Sequence, residues 1–229
     1  MNRYWEEFVA EIPWVVEHGE KPKVGAPEAS GVWRPQSVDF VRMFPELTQV
    51  LQTAIISRVD LLLGPFLLYS WRRADGSLSS WLSPLLSEKP FLSMHRHHRV
   101  LLNSFGGIVE RSNEGDWWLL NHNNALTEAE ASRDGTFTEQ YNWAFEDAGM
   151  LNPIEPTQFY SIAGEANGNT TFCHRESGEV ILFAPDHAFD HVEPFPGCPD
   201  YTFYRLAGAR YFNDWVAEIA RQWRMWIED

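Results

Sequence analysis

The chain has 229 residues, 44% of them hydrophobic, which is enough to bury a sizeable core as one large domain or two small ones. It carries 32 acidic and 18 basic residues, a formal net charge of -14, which argues against direct nucleic-acid binding because that requires clustered Lys and Arg. No apolar run approaches the roughly 20 residues of a membrane-spanning helix, so no membrane partner is expected.

Residues 1–90 are predicted to form two helices and a hairpin. Apolar side chains that recur every three or four positions predict the helices, the second of which Pro45 could split. The dipeptide Asp75-Gly76, typical of a positive-φ hairpin turn, separates two apolar runs. These elements are helices over 3–18 and 37–58 and hairpin strands over 61–71 and 78–82, with an irregular connection over 19–36.

Residues 91–229 are predicted to combine strands with helices. A helix over 93–105 carries three of the eight histidines, His95, His97 and His98. Because no acidic residue or cysteine lies beside them, we interpret these histidines as a solvated cluster or as a cluster at the N-terminal end of the helix, and not as metal ligands. The other predicted elements are strands over 108–110, 117–121, 156–163, 168–174, 179–184 and 201–205, and helices over 137–148 and 211–227.

The stretch FAPDHAFDHVEP, residues 183–194, contains two Asp-His pairs separated by two residues. On a helix, positions four apart lie on one face, and such a set could bind a metal ion. Pro185 and the strand before it favour a loop, in which Asx-type turns explain the aspartates. A metal-dependent hydrolase is therefore the alternative interpretation. Its ligands would be Asp186, His187, Asp190 and His191, with His95 or His98.

Signals of catalysis are weak elsewhere. The sequence has no phosphate-binding glycine motif, no GxSxG and no HExxH. Cys173 and His174 are adjacent on a predicted strand and should face opposite ways, which makes a catalytic dyad between them geometrically poor. Cys173 and Cys198 do not form a CxxC motif, so neither a zinc knuckle nor a disulfide framework is indicated. We therefore predict neither enzymatic activity nor a cofactor.

The acidic charge is concentrated in the second part of the chain. Residues 1–90 contain 9 basic and 11 acidic residues, whereas residues 91–229 contain 9 and 21, a net charge of -12. This imbalance is compatible with a basic protein partner, although solubility alone would also explain it. The N-terminal sequence lacks the basic region and apolar run of a secretory signal, which predicts a cytoplasmic location.

The eleven tryptophans are unusually many, and most occupy periodic positions typical of a buried core. Trp117 and Trp118 differ, because neighbours on a strand point to opposite sides. One of the two should be buried and the other should lie nearer solvent. The exposed ring would be a candidate anchor for a protein partner.

From about His95 onward the order of short motifs resembles the SUKH superfamily of bacterial immunity proteins and fungal cell-wall regulators. The likeness covers roughly 95–229. The chain departs from the family in one segment. Where the family often has a small or glycine-rich turn after the Phe-Ala-Asp segment, this chain has Pro185 before Asp186 and His-Ala-Phe after it. The matching motifs are Leu101-Leu102-Asn-Ser-Phe105, Gly106-Gly107, Trp118-Leu-Leu, the segment from Gly178 to Asp186, the strand around Tyr201–Tyr204, and Phe212-Asn-Asp-Trp215-Val.

The resemblance implies an α+β domain over 91–229, with a twisted, mainly antiparallel sheet, helices packed around it, and no catalytic residues. In this family the strand that ends in Phe-Ala and an acidic residue leads into a turn. Residues 1–90 lie outside the likeness and would form a helix-helix-hairpin extension that packs on this domain or forms a second small one.

Many relatives in that family neutralise a cognate toxin, frequently a nuclease or a deaminase. We therefore expect a cytoplasmic immunity-type protein that occludes a basic toxin, with acidic and aromatic side chains at the contact. A scaffold in an enzyme assembly is a third possibility. The candidate partner-binding residues are Asp116, Trp117, Asp186, Phe189, Asp190 and Glu193.

Overall fold

The structure is a computed structural model that describes residues 2–29, 31–85, 93–115, 119, 124–165, 167–186 and 190–228. Within these residues the chain forms two antiparallel β-sheets with helices packed around them, so the predicted α+β class is confirmed. Among the helices in this part of the chain, none is long and apolar enough to cross a bilayer.

The first sheet has five strands, and each pairs antiparallel with its neighbour. Across the sheet they follow chain order, as β1 Lys23–Val24, β2 Ile55–Leu61, β3 Gly64–Arg72, β4 Leu78–Pro84 and β5 Glu110–Ser112. The strands β3 and β4 are joined by a turn in which Gly76 has a φ of +85° and the Asp75 carboxylate accepts the Ser77 backbone N–H.

The second predicted helix, 37–58, is divided and ends early. Pro45 begins a new helix, because proline is tolerated in the first helical turn but not in the interior. The helical prediction for 55–58 is wrong: Ile55 and Ile56 open strand β2, where β-branched side chains fit well. The helices of this part are α1 Arg3–Glu11, α2 Val38–Met43 and α3 Pro45–Thr53, with a 3-10 turn at Pro13–Val15.

The second sheet has six strands, all paired antiparallel. In chain order they are β6 Asn124–Ala125, β7 Phe159–Gly164, β8 Thr170–His174, β9 Val180–Phe183, β10 Val192–Pro194 and β11 Phe203–Leu206. Their order across the sheet is β10-β11-β9-β8-β7-β6, which leaves β10 at one edge.

The helices of the second part partly match the prediction. The predicted helix 137–148 begins as a 3-10 segment, Gly135–Tyr141, and becomes α-helical only afterwards. The last helix begins where the Tyr211 backbone N–H donates to the Asp214 carboxylate at 3.0 Å, which is half of a capping box. The helices are α4 Arg96–Leu102, α5 Glu128–Ala131, α6 Asn142–Asp147 and α7 Phe212–Glu228.

One large hydrophobic core contains side chains from both 1–90 and 91–229. At its centre, the ring centroid of Trp81 in β4 lies 4.7 Å from that of Trp223 in α7 and 6.1 Å from that of Phe105, which follows α4. Because β4 also pairs with β5, the two segments share both a sheet and a core.

The tryptophans are mostly in the core, although two of those described are well exposed, Trp14 at 67% and Trp143 at 58%. Trp117 and Trp118 lie outside the described residues, as does most of the predicted strand 117–121. The buried tryptophans are Trp5, Trp33, Trp71, Trp81, Trp215 and Trp223.

Candidate protein-binding surface

The outer face of the second sheet carries a separate hydrophobic cluster that is covered by two chain segments. Phe183 and Phe203 project from the sheet, and Phe145 of α6 and Cys198 are buried against that cluster. The two covering segments approach each other, since a Cβ added at Gly197 would lie 3.5 Å from Pro153 Cγ. We call their described residues, 135–155 and 190–201, the acidic layer.

The acidic layer carries seven exposed carboxylates. None of them forms an ion pair with any residue that the structure describes. Two arginines border the layer through its rings, Arg205 at 4.9 Å from Phe195 and Arg133 at 5.6 Å from Phe137, and their ion pairs are with Glu179 and Glu130. The layer itself contains no Lys or Arg, so it presents a net negative charge to solvent. Its carboxylates are Glu139, Glu146, Asp147, Glu155, Asp190, Glu193 and Asp200.

Acidic residues in the first part of the chain behave differently, because several of them form local ion pairs. Arg3 pairs with Glu7, and the Arg42 guanidinium nitrogen Nη2 lies 2.8 Å from the Asp39 carboxylate oxygen Oδ1. Local neutralisation of this kind weakens the field that a carboxylate projects beyond the surface. The negative potential of the protein is therefore expected to be strongest over the acidic layer.

Large apolar side chains are exposed among these carboxylates. Leu151 is 92% exposed and Trp143 is 58% exposed, with Met150 and Tyr201 at 42% and 53%. Exposed apolar groups set among polar ones often mark protein contact sites. None of these side chains was predicted as a contact residue, although Trp143 lies off the apolar stripe of its predicted helix, which was a usable signal.

Three of the predicted partner-binding residues fall in or beside this layer. Asp190 and Glu193 belong to it and are exposed, and Asp186 is exposed in the loop that leads into it. Edge strand β10 places Glu193 opposite Arg205 of β11. The other three, Asp116, Trp117 and Phe189, lie outside the described residues.

The Asp-His stretch is irregular where it is described between β9 and β10, as the predicted loop requires, but its end, Val192–Pro194, forms strand β10 and not a loop. His191 has a φ of +64° in a turn, and Asp186 lies in a bend. Over the described ranges no three His, Cys, Asp or Glu side chains are grouped closely enough to hold a metal ion, and His187 falls outside those ranges.

The three histidines do lie at the N-terminal end of α4, but the alternative of a solvated cluster is wrong for two of them. His98 is fully buried and His95 is 5% exposed, because the start of α4 packs against the second sheet and α7. The His98 ring is held from both sides: its Nε2 lies 2.9 Å from the Leu126 carbonyl oxygen and its Nδ1 lies 3.2 Å from the Tyr160 hydroxyl. Both ring nitrogens of His98 are therefore engaged within the protein.

The groups around His98 are held in their neutral forms. Burial lowers the pKa of His98 and that of His95 to about 4, and burial raises the pKa of Cys173 to about 12. Burial also holds the pKa of Tyr160 well above its usual value. A neutral His98 can donate from Nε2–H to Leu126 and accept the Tyr160 O–H at Nδ1. We assign this cluster to packing of the core.

This burial predicts a loss of stability in mild acid. Below about pH 6.5 His98 is protonated in the unfolded state, whereas in the folded state it remains neutral until about pH 4. Because the unfolded state binds more protons between these values, the free energy of unfolding decreases as the pH is lowered from about 6.5 to about 4. The shift corresponds to about 3 kcal/mol, lost progressively across that window. Urea unfolding followed by circular dichroism at a series of pH values measures it.

The matched variants are His98→Gln and His18→Gln, the second at an exposed position. Gln at position 98 retains a donor for the Leu126 carbonyl but does not titrate. H98Q should be less stable at neutral pH and should lose less stability on acidification, while H18Q should follow the native profile. Equal acid sensitivity in H98Q and the native chain would contradict the assignment.

Comparison of the chain with protein-family models, with curated proteins and with solved structures gave no match.

Proposed function

We propose that this chain is an immunity-type binding protein of the SUKH kind, which neutralises a basic toxin by covering its active site with the acidic layer. The observation that carries the proposal is the coincidence of exposed Trp143 and Leu151 with seven carboxylates that lack ion pairs among the described residues. The motif order from about His95 onward is the second support.

The two kinds of side chain would have different roles in the complex. Aromatic and large aliphatic groups that become fully desolvated supply most of the affinity of protein interfaces, and tryptophan is enriched among such anchors. Uncompensated carboxylates chiefly raise the association rate and select a partner of opposite charge. Trp143 would thus hold the complex, and the carboxylates would steer its formation.

The negative charge of the acidic layer indicates what kind of partner it would bind. A nuclease or nucleic-acid deaminase neutralises phosphates with Lys and Arg, so the cleft that holds its substrate is basic. A surface with unpaired carboxylates at many points can occupy such a cleft in place of the phosphate backbone. In this role the chain needs neither a catalytic residue nor a cofactor, and it would act in the cytoplasm, where the toxin meets its substrate.

Trp143→Ala is expected to weaken the complex with the toxin encoded by the neighbouring gene about 30-fold, the loss of a hot spot of about 2 kcal/mol. Isothermal titration with a catalytically inactive toxin measures the affinity, and growth on co-expression measures protection. Trp14→Ala is the matched control, because Trp14 is 67% exposed but belongs to the first part of the chain. W14A should bind within about twofold of the native chain.

A charge-reversal pair tests the steering role. D190K/E193K should slow association at low salt about tenfold, and the difference should shrink as salt is added. The control is E17K/E28K, which makes the same charge change at exposed positions outside the layer. The proposal fails if no complex or protection is found with the neighbouring product, or if both pairs of variants behave alike.

A further inference from the structure

A cleft of about 480 Å³ lies between α3, the paired ends of β2 and β3, and α7. This volume is within the range of sites that hold small organic ligands. None of the segments that build it belongs to the acidic layer, so it is independent of the proposed protein contact.

The floor of the cleft is apolar. Val50 and Trp71 are almost fully buried there, and Ile55 and Ile227 are half-buried at its sides. The Trp71 indole N–H is already donated to the Val50 carbonyl at 3.1 Å, so the side chain offers only its ring to a ligand. The floor therefore suits a hydrocarbon or aromatic body.

Among the described residues of the lining, the polar groups are cationic or neutral. Arg72 and Arg224 both line it, and Arg224 donates to the Gln49 side-chain oxygen at 3.0 Å. The Arg72 side chain is exposed, and its guanidinium forms no hydrogen bond or ion pair with any residue the structure describes, although its backbone pairs with Leu78 in the sheet. No acidic residue is among the described residues of the lining, although the chain as a whole carries a net charge of -14.

We propose that this cleft binds a small organic anion with an apolar body. The apolar part would lie on Trp71 and Ile227, and the anionic group would lie between the guanidinium groups of Arg72 and Arg224. Guanidinium groups form strong, charge-assisted hydrogen bonds with planar and tetrahedral anions.

Two fluorescent dyes test the proposal: anilinonaphthalene sulfonate, which has an aromatic body and one anionic group, and phenylnaphthylamine, which has the same body without the charge. The sulfonate dye should bind saturably at one site. R72A and R224A should each weaken its binding about tenfold and leave that of the neutral dye within about twofold. The control is R221A, which removes another exposed cation from α7, the helix that carries Arg224. It should leave the binding of both dyes unchanged.

A further variant locates the binding. Thr53→Trp fills the mouth of the cleft from the exposed end of α3 and should abolish binding of both dyes while leaving the circular dichroism unchanged. Because it removes the hydroxyl that accepts the Trp71 indole N–H at 3.2 Å, it should lower the thermal transition by a few degrees at most, since the same N–H also donates to the Val50 carbonyl. The proposal is overturned if the sulfonate dye does not bind saturably, if T53W leaves its binding intact, or if the arginine variants weaken both dyes equally.

Discussion

Trp81→Ala is expected to lower the free energy of unfolding by about 3–5 kcal/mol, because it removes a large ring from a site that cannot collapse around the cavity. Trp81 has no exposed surface and its ring lies 5.0 Å from that of Trp71 and 4.7 Å from that of Trp223. Urea unfolding monitored by circular dichroism measures the loss. Trp81→Phe, which keeps most of the buried ring, is the matched variant and should cost less than half as much.

The same experiment tests whether residues 1–90 fold as a separate unit. Trp81 of β4 packs on Trp223 of α7, so its removal should lower hydrogen-exchange protection in both sheets together and leave a single unfolding transition. Two transitions, of which W81A shifts only one, would instead support a boundary near residue 90.

Gly107→Ala is expected to destabilise the protein by about 3–5 kcal/mol, the sum of backbone strain and a clash that the backbone must relieve. Gly107 has a φ of +85°, and an added Cβ would lie 2.6 Å from both the Leu126 carbonyl carbon and the Thr127 nitrogen. Both contacts are with backbone atoms, which cannot move aside as a flexible side chain can. Thermal and urea unfolding measure the loss.

Gly76→Ala separates the two causes, because Gly76 has the same φ of +85° but nothing lies within 4 Å of its added Cβ. G76A should therefore show the conformational cost alone, about 1–2 kcal/mol. If G107A were no less stable than G76A, the close approach of Gly107 to the backbone of Leu126 and Thr127 would not contribute to stability.

Elements with strong local signals were predicted closely. The terminal helix was predicted over 211–227 and α7 spans Phe212–Glu228, because seven apolar side chains recur at helical spacing and Asp214 caps its start. The strands β8 and β9 lie within the predicted runs 168–174 and 179–184. In the turn between the two strands, Gly178 adopts the positive φ that the turn requires. These signals are contained within a few residues of chain.

Features that depend on distant residues were not predicted. His98 is polar and lies on a helix with charged neighbours, so only its contacts with Leu126 and Tyr160, 28 and 62 positions away, reveal that it is buried. The end of α3 at Thr53 is also set from outside, since pairing of Ile55 with Ser70 of β3 overrides a helical pattern that continues through 55–58.

The candidate surface could be predicted only in part. Asp190 and Glu193 were identified from charge and from their place in a Pro-rich loop, and both are exposed in the acidic layer. Trp143, Met150 and Leu151 were missed, because sequence does not show that 135–155 covers the outer face of a sheet assembled from residues further along the chain.

The dependence of the core on α7 bears on how the protein forms during translation. Trp81 and Trp223 are 142 positions apart, so all strands of the first sheet have been synthesised before α7, which packs against Trp71 and Trp81, leaves the ribosome. Completion of the fold should therefore await synthesis of residues 212–228. Ribosome-stalled chains that lack this segment are expected to recruit chaperones that recognise uncovered aromatic rings.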